Sequence, residues 1–124
     1  VDELEFRLST MNRYDEIQNI FRANKKLVSK FKNFTVTQGK NGCYIKSNNK
    51  LNFIPTLIKQ PRDSTGCGDI FFATFVLTKI YKNFSINESA IISHLAAGLH
   101  TKKEGNENII TQNILCNFAK TYLN

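Results

Sequence analysis

The sequence predicts an α/β fold, and three observations predict it. Apolar residues recur at three- and four-residue intervals over residues 14–31, 69–81, 85–99 and 111–123, the spacing of amphipathic or buried helices. Between the first two of these stand short β-prone runs separated by turn-forming residues. A Gly-rich stretch, residues 63–69, feeds directly into the most apolar helix, which is where open α/β sheets place a ligand. The 124 residues suffice for a domain with a real core, and one α/β unit over 1–124 is expected, without repeats or internal linkers.

Each element has its own signal. The first eight residues read as a strand exit followed by a short helical turn. Ile17, Ile20, Phe21, Ala23, Leu27, Val28 and Phe31 predict one continuous helix over 14–31, with Asn12 or Asp15 as its cap. Phe34-Thr35-Val36-Thr37 is a strand ending in the turn-rich Gln38-Gly39-Lys40-Asn41-Gly42. Cys43-Tyr44-Ile45-Lys46 returns, and residues 51–54 form a third strand after a second turn. Pro55 and Pro61 bracket a connection to Asp63. The helix over 69–81 is apolar on most sides, so burial between layers is expected. Ser85 and Glu88 have capping-box spacing for a helix running to about Leu99, and Thr111 caps a last helix carrying Ile114, Leu115, Phe118, Ala119 and Leu123.

Composition excludes several classes. With 41% hydrophobic and 22% charged residues the chain is globular in type. No stretch approaches the roughly 20 apolar residues that span a bilayer, so no membrane partner is expected. The acidic start, Val1-Asp2-Glu3-Leu4-Glu5, is not a secretory signal, and without an initiator methionine the chain reads as part of something longer. Three widely spaced cysteines, Cys43, Cys67 and Cys116, fit neither a disulfide framework nor a zinc site; reduced thiols and a cytoplasmic location are expected. The net charge of +7 raises the question of a polyanion. Arg22, Lys26 and Lys30 would form a basic stripe on one helix face, but no aromatic residues interleave with it, and nucleic acid is not expected as a partner.

The chemistry is concentrated in Asp63-Ser64-Thr65-Gly66-Cys67-Gly68-Asp69. Two glycines let the backbone approach a ligand, and first-turn amides of the following helix have no intrahelical partner, which suits a phosphate. Asp69 would repel that anion unless it has a task, and accepting a hydroxyl proton during phosphoryl transfer is such a task. An N-cap with a glycine turn accounts for the same spacing.

These residues resemble the D-T-x-G-A-G-D signature of the ribokinase (PfkB) family, with Ser64 and Cys67 as the two departures. The resemblance implies a Rossmann-like ribokinase fold, of which this chain is the C-terminal portion, a sheet covered by helices. It implies Asp69 as catalytic base and the amides of Gly66, Cys67, Gly68 and Asp69 as an anion hole. Val36-Thr37-Gln38-Gly39-Lys40-Asn41-Gly42 is similar to the family's V-T-x-G-x-x-G turn, which implies Thr37, Gly39 and Gly42 beside the nucleotide, together with Thr65. Asp2-Glu3-Leu4-Glu5 resembles N-x-x-E, which implies Glu5 as an organiser of Mg²⁺ and its waters. Residues 96–105 resemble the family's helix end at the adenine site, which implies roles for His94 and Gly98, although ordinary helix and surface histidines fit His94 and His100 as well. Asp63 is the candidate for a monovalent cation such as K⁺.

The activity implied is transfer of the γ-phosphoryl group of ATP to a sugar or sugar phosphate, completed by a missing N-terminal half. The strand–turn–strand pattern is similar to the heptose-phosphate kinase branch. The alternative is a non-catalytic nucleotide-binding or interaction fragment derived from such a kinase.

Overall fold

The computed structural model describes residues 1–48, 50–57, 64–102 and 109–123. They belong to two compact units, Val1–Pro55 and Thr56–Asn124.

The first unit begins with α1 (Glu3–Ser9), opened by a capping box. The Glu5 amide donates to Asp2 Oδ1 at 2.7 Å and the Asp2 amide donates to Glu5 Oε2 at 3.0 Å. The expected strand exit survives as a single parallel bridge between Asp2 and Thr37, where the Thr37 amide donates to the Val1 carbonyl at 3.1 Å. Next come α2 (Ile17–Ala23), α3 (Lys25–Val28) and an antiparallel meander of β1 (Asn33–Thr37), β2 (Cys43–Ser47) and β3 (Lys50–Ile54), ordered β1-β2-β3. Register pairs Val36 with Tyr44 and Tyr44 with Phe53, so Phe34, Val36, Tyr44, Lys46, Leu51 and Phe53 share one face. That face meets Phe6, Ile17, Ile20, Phe21 and Val28 in the core.

The single helix expected over 14–31 is instead two. Asn24 breaks it with φ −107° and ψ 31°, and its side-chain amide donates to the Ile20 carbonyl at 3.0 Å, competing with the backbone for that acceptor. Neither Asn12 nor Asp15 caps α2: the Asn12 side-chain amide donates to Asp15 Oδ2 at 2.8 Å, and Glu16 holds the cap position. Arg22 therefore sits on α2 and Lys26 on α3, with Lys30 beyond both, and the basic stripe does not form.

The second unit contains α4 (Cys67–Val76), extended by a π-helical turn Leu77–Tyr81, then α5 (Ile86–His100) and α6 (Gln112–Leu123). In the π turn, Thr78 Oγ1 donates to the Thr74 carbonyl at 2.8 Å. The capping box of α5 is present: the Ser85 amide donates to Glu88 Oε2 at 2.8 Å and the Glu88 amide donates to Ser85 Oγ at 3.3 Å. Thr111 caps α6, its Oγ1 accepting from the Ile114 amide. Burial of α4 is narrower than its composition predicts. Phe71 is buried against α5, but Phe72 is 69% exposed, and Ile80 and Tyr81 in the π turn are 68% and 76% exposed. An all-round apolar helix needs cover on several sides, and α5 supplies only one.

Gly42 holds φ 117° and ψ −145°, a conformation side chains disfavour strongly, while accepting from the Gln38 amide at 2.8 Å. Gly42→Ala should lower unfolding stability by about 1–3 kcal/mol in urea titrations. Gly39→Asn, at φ 51° with open space where a Cβ would sit, should cost clearly less. Equal stability of Gly42→Ala and the parent chain would remove the glycine requirement.

Candidate active site

The Gly-rich loop turns into α4 through its backbone geometry. Gly66 adopts φ 74°, the left-handed region, and caps the helix with no side-chain hydrogen bond. The Cys67 amide donates to the Ser64 carbonyl at 3.2 Å and the Ile70 amide to the Gly66 carbonyl at 3.0 Å. Between them, the amides of Gly68 and Asp69 donate to none of the described residues. A Cβ placed on Gly68 would meet nothing within 4 Å, so a ligand has access to this backbone. Asp69 is exposed in the first turn, and its carboxylate makes no hydrogen bond or ion pair among the described residues. Bare amides at the positive end of a helix, with a free carboxylate beside them, can hold an anion and accept a proton next to it.

Helix α5 braces this loop. His100, 5% exposed, has Nε2 3.1 Å from the Thr65 carbonyl. A carbonyl only accepts, so Nε2 carries a proton, and the buried Nδ1 has no partner among the described residues. No local pattern in the sequence signals this contact, which joins residues 35 apart. The Cys67 thiol lies 3.7 Å from the Ala97 carbonyl, half-buried toward α5. Gly98 is buried, and its carbonyl accepts from Thr101 Oγ1 at 2.8 Å. His94 is 7% exposed and packs edge-on to Phe71, ring centroids 5.0 Å apart. Burial pushes its pKa down to about 4, so the imidazole is neutral at pH 7.

The remaining candidates lie in the first unit. Thr37 ends β1, and Gly39 opens the short 3₁₀ turn Gly39–Asn41 that leads to Gly42. Glu3 anchors this turn: its Oε2 accepts from Gln38 Nε2 at 2.8 Å, while its Oε1 accepts from Arg7 Nε and Nη2 at 2.8 and 2.7 Å. Glu5 is exposed, with one carboxylate oxygen committed to its helix cap. That suits holding metal-bound water better than holding a metal directly, and no group of three or more His, Cys, Asp or Glu among the described residues is placed to bind an ion. The structure thus brings Glu5, Thr37, Gly39 and Gly42 into one unit, and Thr65, Gly66, Cys67, Gly68, Asp69, His94 and Gly98 into the other. Asp63 and residues 103–105 lie outside the described residues.

A family model for pfkB family carbohydrate kinases matches residues 1–113. The chain belongs to the pfkB family. Solved structures of related fold agree. An Arabidopsis thaliana ribokinase complexed with ribose and ATP superposes with a TM-score of 0.83 at 22% identity, covering 96% of this chain and 39% of that one. A Vibrio cholerae fructokinase bound to fructose, ADP and calcium gives 0.80 at 20% identity, covering 94% and 39%. A Methanocaldococcus jannaschii nucleoside kinase gives 0.74 at 21% identity, covering 97% and 38%. The pfkB chain here therefore has the ribokinase fold over about two fifths of the length of these kinases. A comparison with curated protein sequences found no significant match.

The buried His94 gives this pfkB chain a pH dependence with a defined sign. Unfolded, an imidazole takes a proton near 6.5; folded, His94 takes one only near 4. Between these values the unfolded chain binds more protons, so stability is full above pH 6.5 and falls as pH drops toward 4. His94→Asn should flatten that part of the curve of Tm against pH. An unchanged slope in the variant would assign the acid loss to other groups.

Proposed function

We propose that the chain is the C-terminal, nucleotide-binding and catalytic portion of a kinase that transfers the γ-phosphoryl group of ATP to a hydroxyl of a sugar or sugar phosphate. The observation that carries this reading is the pairing of a free Asp69 carboxylate with uncommitted amides at the start of α4. Family membership supports carbohydrate kinase chemistry, and the ribose, fructose and nucleoside kinases of like fold support a sugar or ribosyl hydroxyl as acceptor. A heptose phosphate falls within this acceptor class.

In the reaction, Asp69 accepts the proton of the acceptor hydroxyl as its oxygen bonds to the γ-phosphorus and the bond from phosphorus to the ADP oxygen breaks. The uncommitted amides of Gly68 and Asp69, flanked by those of Gly66 and Cys67, of which the latter also donates to the Ser64 carbonyl, face the charge on the transferring group, and their dipoles need no rearrangement as that charge redistributes. Thr37, Gly39, Gly42 and Thr65 border the nucleotide phosphates, with Glu3 holding the Gln38 turn in place. His94 and Gly98 belong to the wall of the adenine site, from within α5. Mg²⁺, when bound, neutralises charge on the phosphates, and Glu5 would hold its water. Asp63 is assigned to a monovalent cation, K⁺ in the first instance. The three widely spaced cysteines, Cys43, Cys67 and Cys116, suit a cytoplasmic location.

A second reading has its own observation. Exposed Phe72, Ile80 and Tyr81 leave apolar surface that the rest of a kinase would cover, since this chain spans about two fifths of its structural relatives. On its own the chain would then bind nucleotide without turnover, with the N-terminal portion as its partner.

Two experiments separate these. In the complete kinase, Asp69→Asn should leave MgATP affinity within about twofold while lowering kcat by about 10²–10⁴; near-normal turnover would remove Asp69 as the base. In thermal-shift titrations of the chain itself, MgATP should raise Tm, and Gly68→Asp should abolish the rise without lowering the ligand-free Tm. Stabilisation that persists in Gly68→Asp would place the nucleotide elsewhere.

A further inference from the structure

The helices of the first unit cover only part of the sheet face that forms its core. Val36 is fully buried beneath Phe6 and Phe21, but the β2–β3 side of the same face is open, and Phe53 is 46% exposed. The result is a groove of about 860 Å³ between α2–α3 and the meander. Two directly opposed cross-strand pairs make its floor: Tyr44 with Phe53, and Lys46 with Leu51. The Tyr44 and Phe53 rings lie 4.9 Å apart, and Gln18 Nε2 fixes Tyr44 by donating to its hydroxyl at 2.7 Å.

The groove has one sign of charge. Arg22, Lys25 and Lys46 line it, and among the described residues no carboxylate does. Arg22 makes a 3.4 Å hydrogen bond to Asn19 and Lys46 Nζ donates one of its three protons to the Phe31 carbonyl at 2.8 Å, while the Glu3–Arg7 pair is the sole salt bridge among the described residues, so none of the three cations has a charged partner there. Those cations call for an anion. The aromatic floor calls for a planar ring, for which stacking on Tyr or Phe contributes about 1–3 kcal/mol per base, and a guanidinium beside it suits a phosphate. This combination is not visible along the sequence, because the aromatic residues come from β2 and β3, not from the basic segment. The volume is that of a small-molecule site.

We propose that this groove is a binding site for a free nucleoside phosphate, its base on Tyr44 and Phe53 and its phosphate toward Arg22, Lys25 and Lys46. None of Thr37, Gly39, Gly42 or the 64–69 loop lines it, so it is a second nucleotide site, independent of the catalytic reading.

The test is calorimetric titration of AMP into the full chain carrying Gly68→Asp, so that failure of the Gly-rich loop to bind nucleotide does not enter the result. AMP should bind saturably, and at least tenfold more tightly than adenosine or inorganic phosphate alone. Arg22→Gln with Lys25→Gln, and separately Phe53→Ala, should each weaken AMP at least tenfold; all three positions are exposed, and an unchanged Tm checks the fold. Absence of AMP binding, or binding indifferent to both variants, overturns the proposal. An eight-residue oligothymidylate binding at least tenfold more tightly than AMP through the same side chains also overturns it, replacing the free nucleotide with a strand.

Discussion

Phe6 is the residue on which the first unit depends. It is 1% exposed, with its ring centroid 4.9 Å from that of Phe21 and 5.6 Å from that of Phe34. Full burial of such a side chain is worth about 1.5–3 kcal/mol, and truncating it to alanine costs about 3–5 kcal/mol. Its positional effect matters as much as its energy. Phe6 holds α1 onto β1, and α1 begins one residue after the Asp2–Thr37 bridge. Because α1 is fixed there, Glu3 reaches Gln38 and the Gly39 turn is tied to a helix rather than left to its own backbone preferences. A hydrophobic contact thereby sets the geometry of a polar turn that the nucleotide reading needs.

Much of this was readable in the residues, for local reasons. The three strands followed from β-prone runs between turns, and the Ser85–Glu88 and Thr111 helix starts followed from side chains that reach only three residues along the chain. The ribokinase-type fold followed from a short signature with a specific order of glycines and carboxylates, and the match over residues 1–113 bears it out. What was not readable depends on competition or on distance. Apolar spacing runs straight through Asn24, because periodicity reports which face is buried and says nothing of a side-chain amide that takes a backbone acceptor. The braces Glu3–Gln38 and His100–Thr65 join residues 35 positions apart, and no local pattern encodes them. The apolar composition of α4 correctly marks a helix meant for burial, yet composition cannot say which chain segment provides the cover.

The two functional regions are supported in different ways. The 38–42 turn is held by a charged network, Arg7 to Glu3 to Gln38, and by a glycine conformation at Gly42. The 64–66 loop is braced by the His100 imidazole, whose second nitrogen is buried without a partner among the described residues. Leaving a buried polar atom unpaired costs about 1–3 kcal/mol. The contact the ring does make holds the carbonyl immediately before Gly66.

Three helix starts in this chain place a carboxylate at the third helical position, and they differ in a way that bears on Asp69. Glu5 in α1 and Glu88 in α5 both fold back to accept from their N-cap amides, and in both a polar N-cap side chain answers. At α4 the N-cap is Gly66, which has no side chain to answer, and the third residue is Asp69, one methylene shorter than glutamate and unbonded. A helix start selected for stability alone would follow the other two, since a capping side chain is worth about 1 kcal/mol. The same sequence uses that device twice, at exposed ends. It leaves it out at the one start where a left-handed glycine, an open Gly68 and two unpaired amides converge. Reading Asp69 as a cap leaves that difference without a cause, whereas the proposed role of Asp69 toward an acceptor hydroxyl, beside amides open to a phosphoryl group, would account for it.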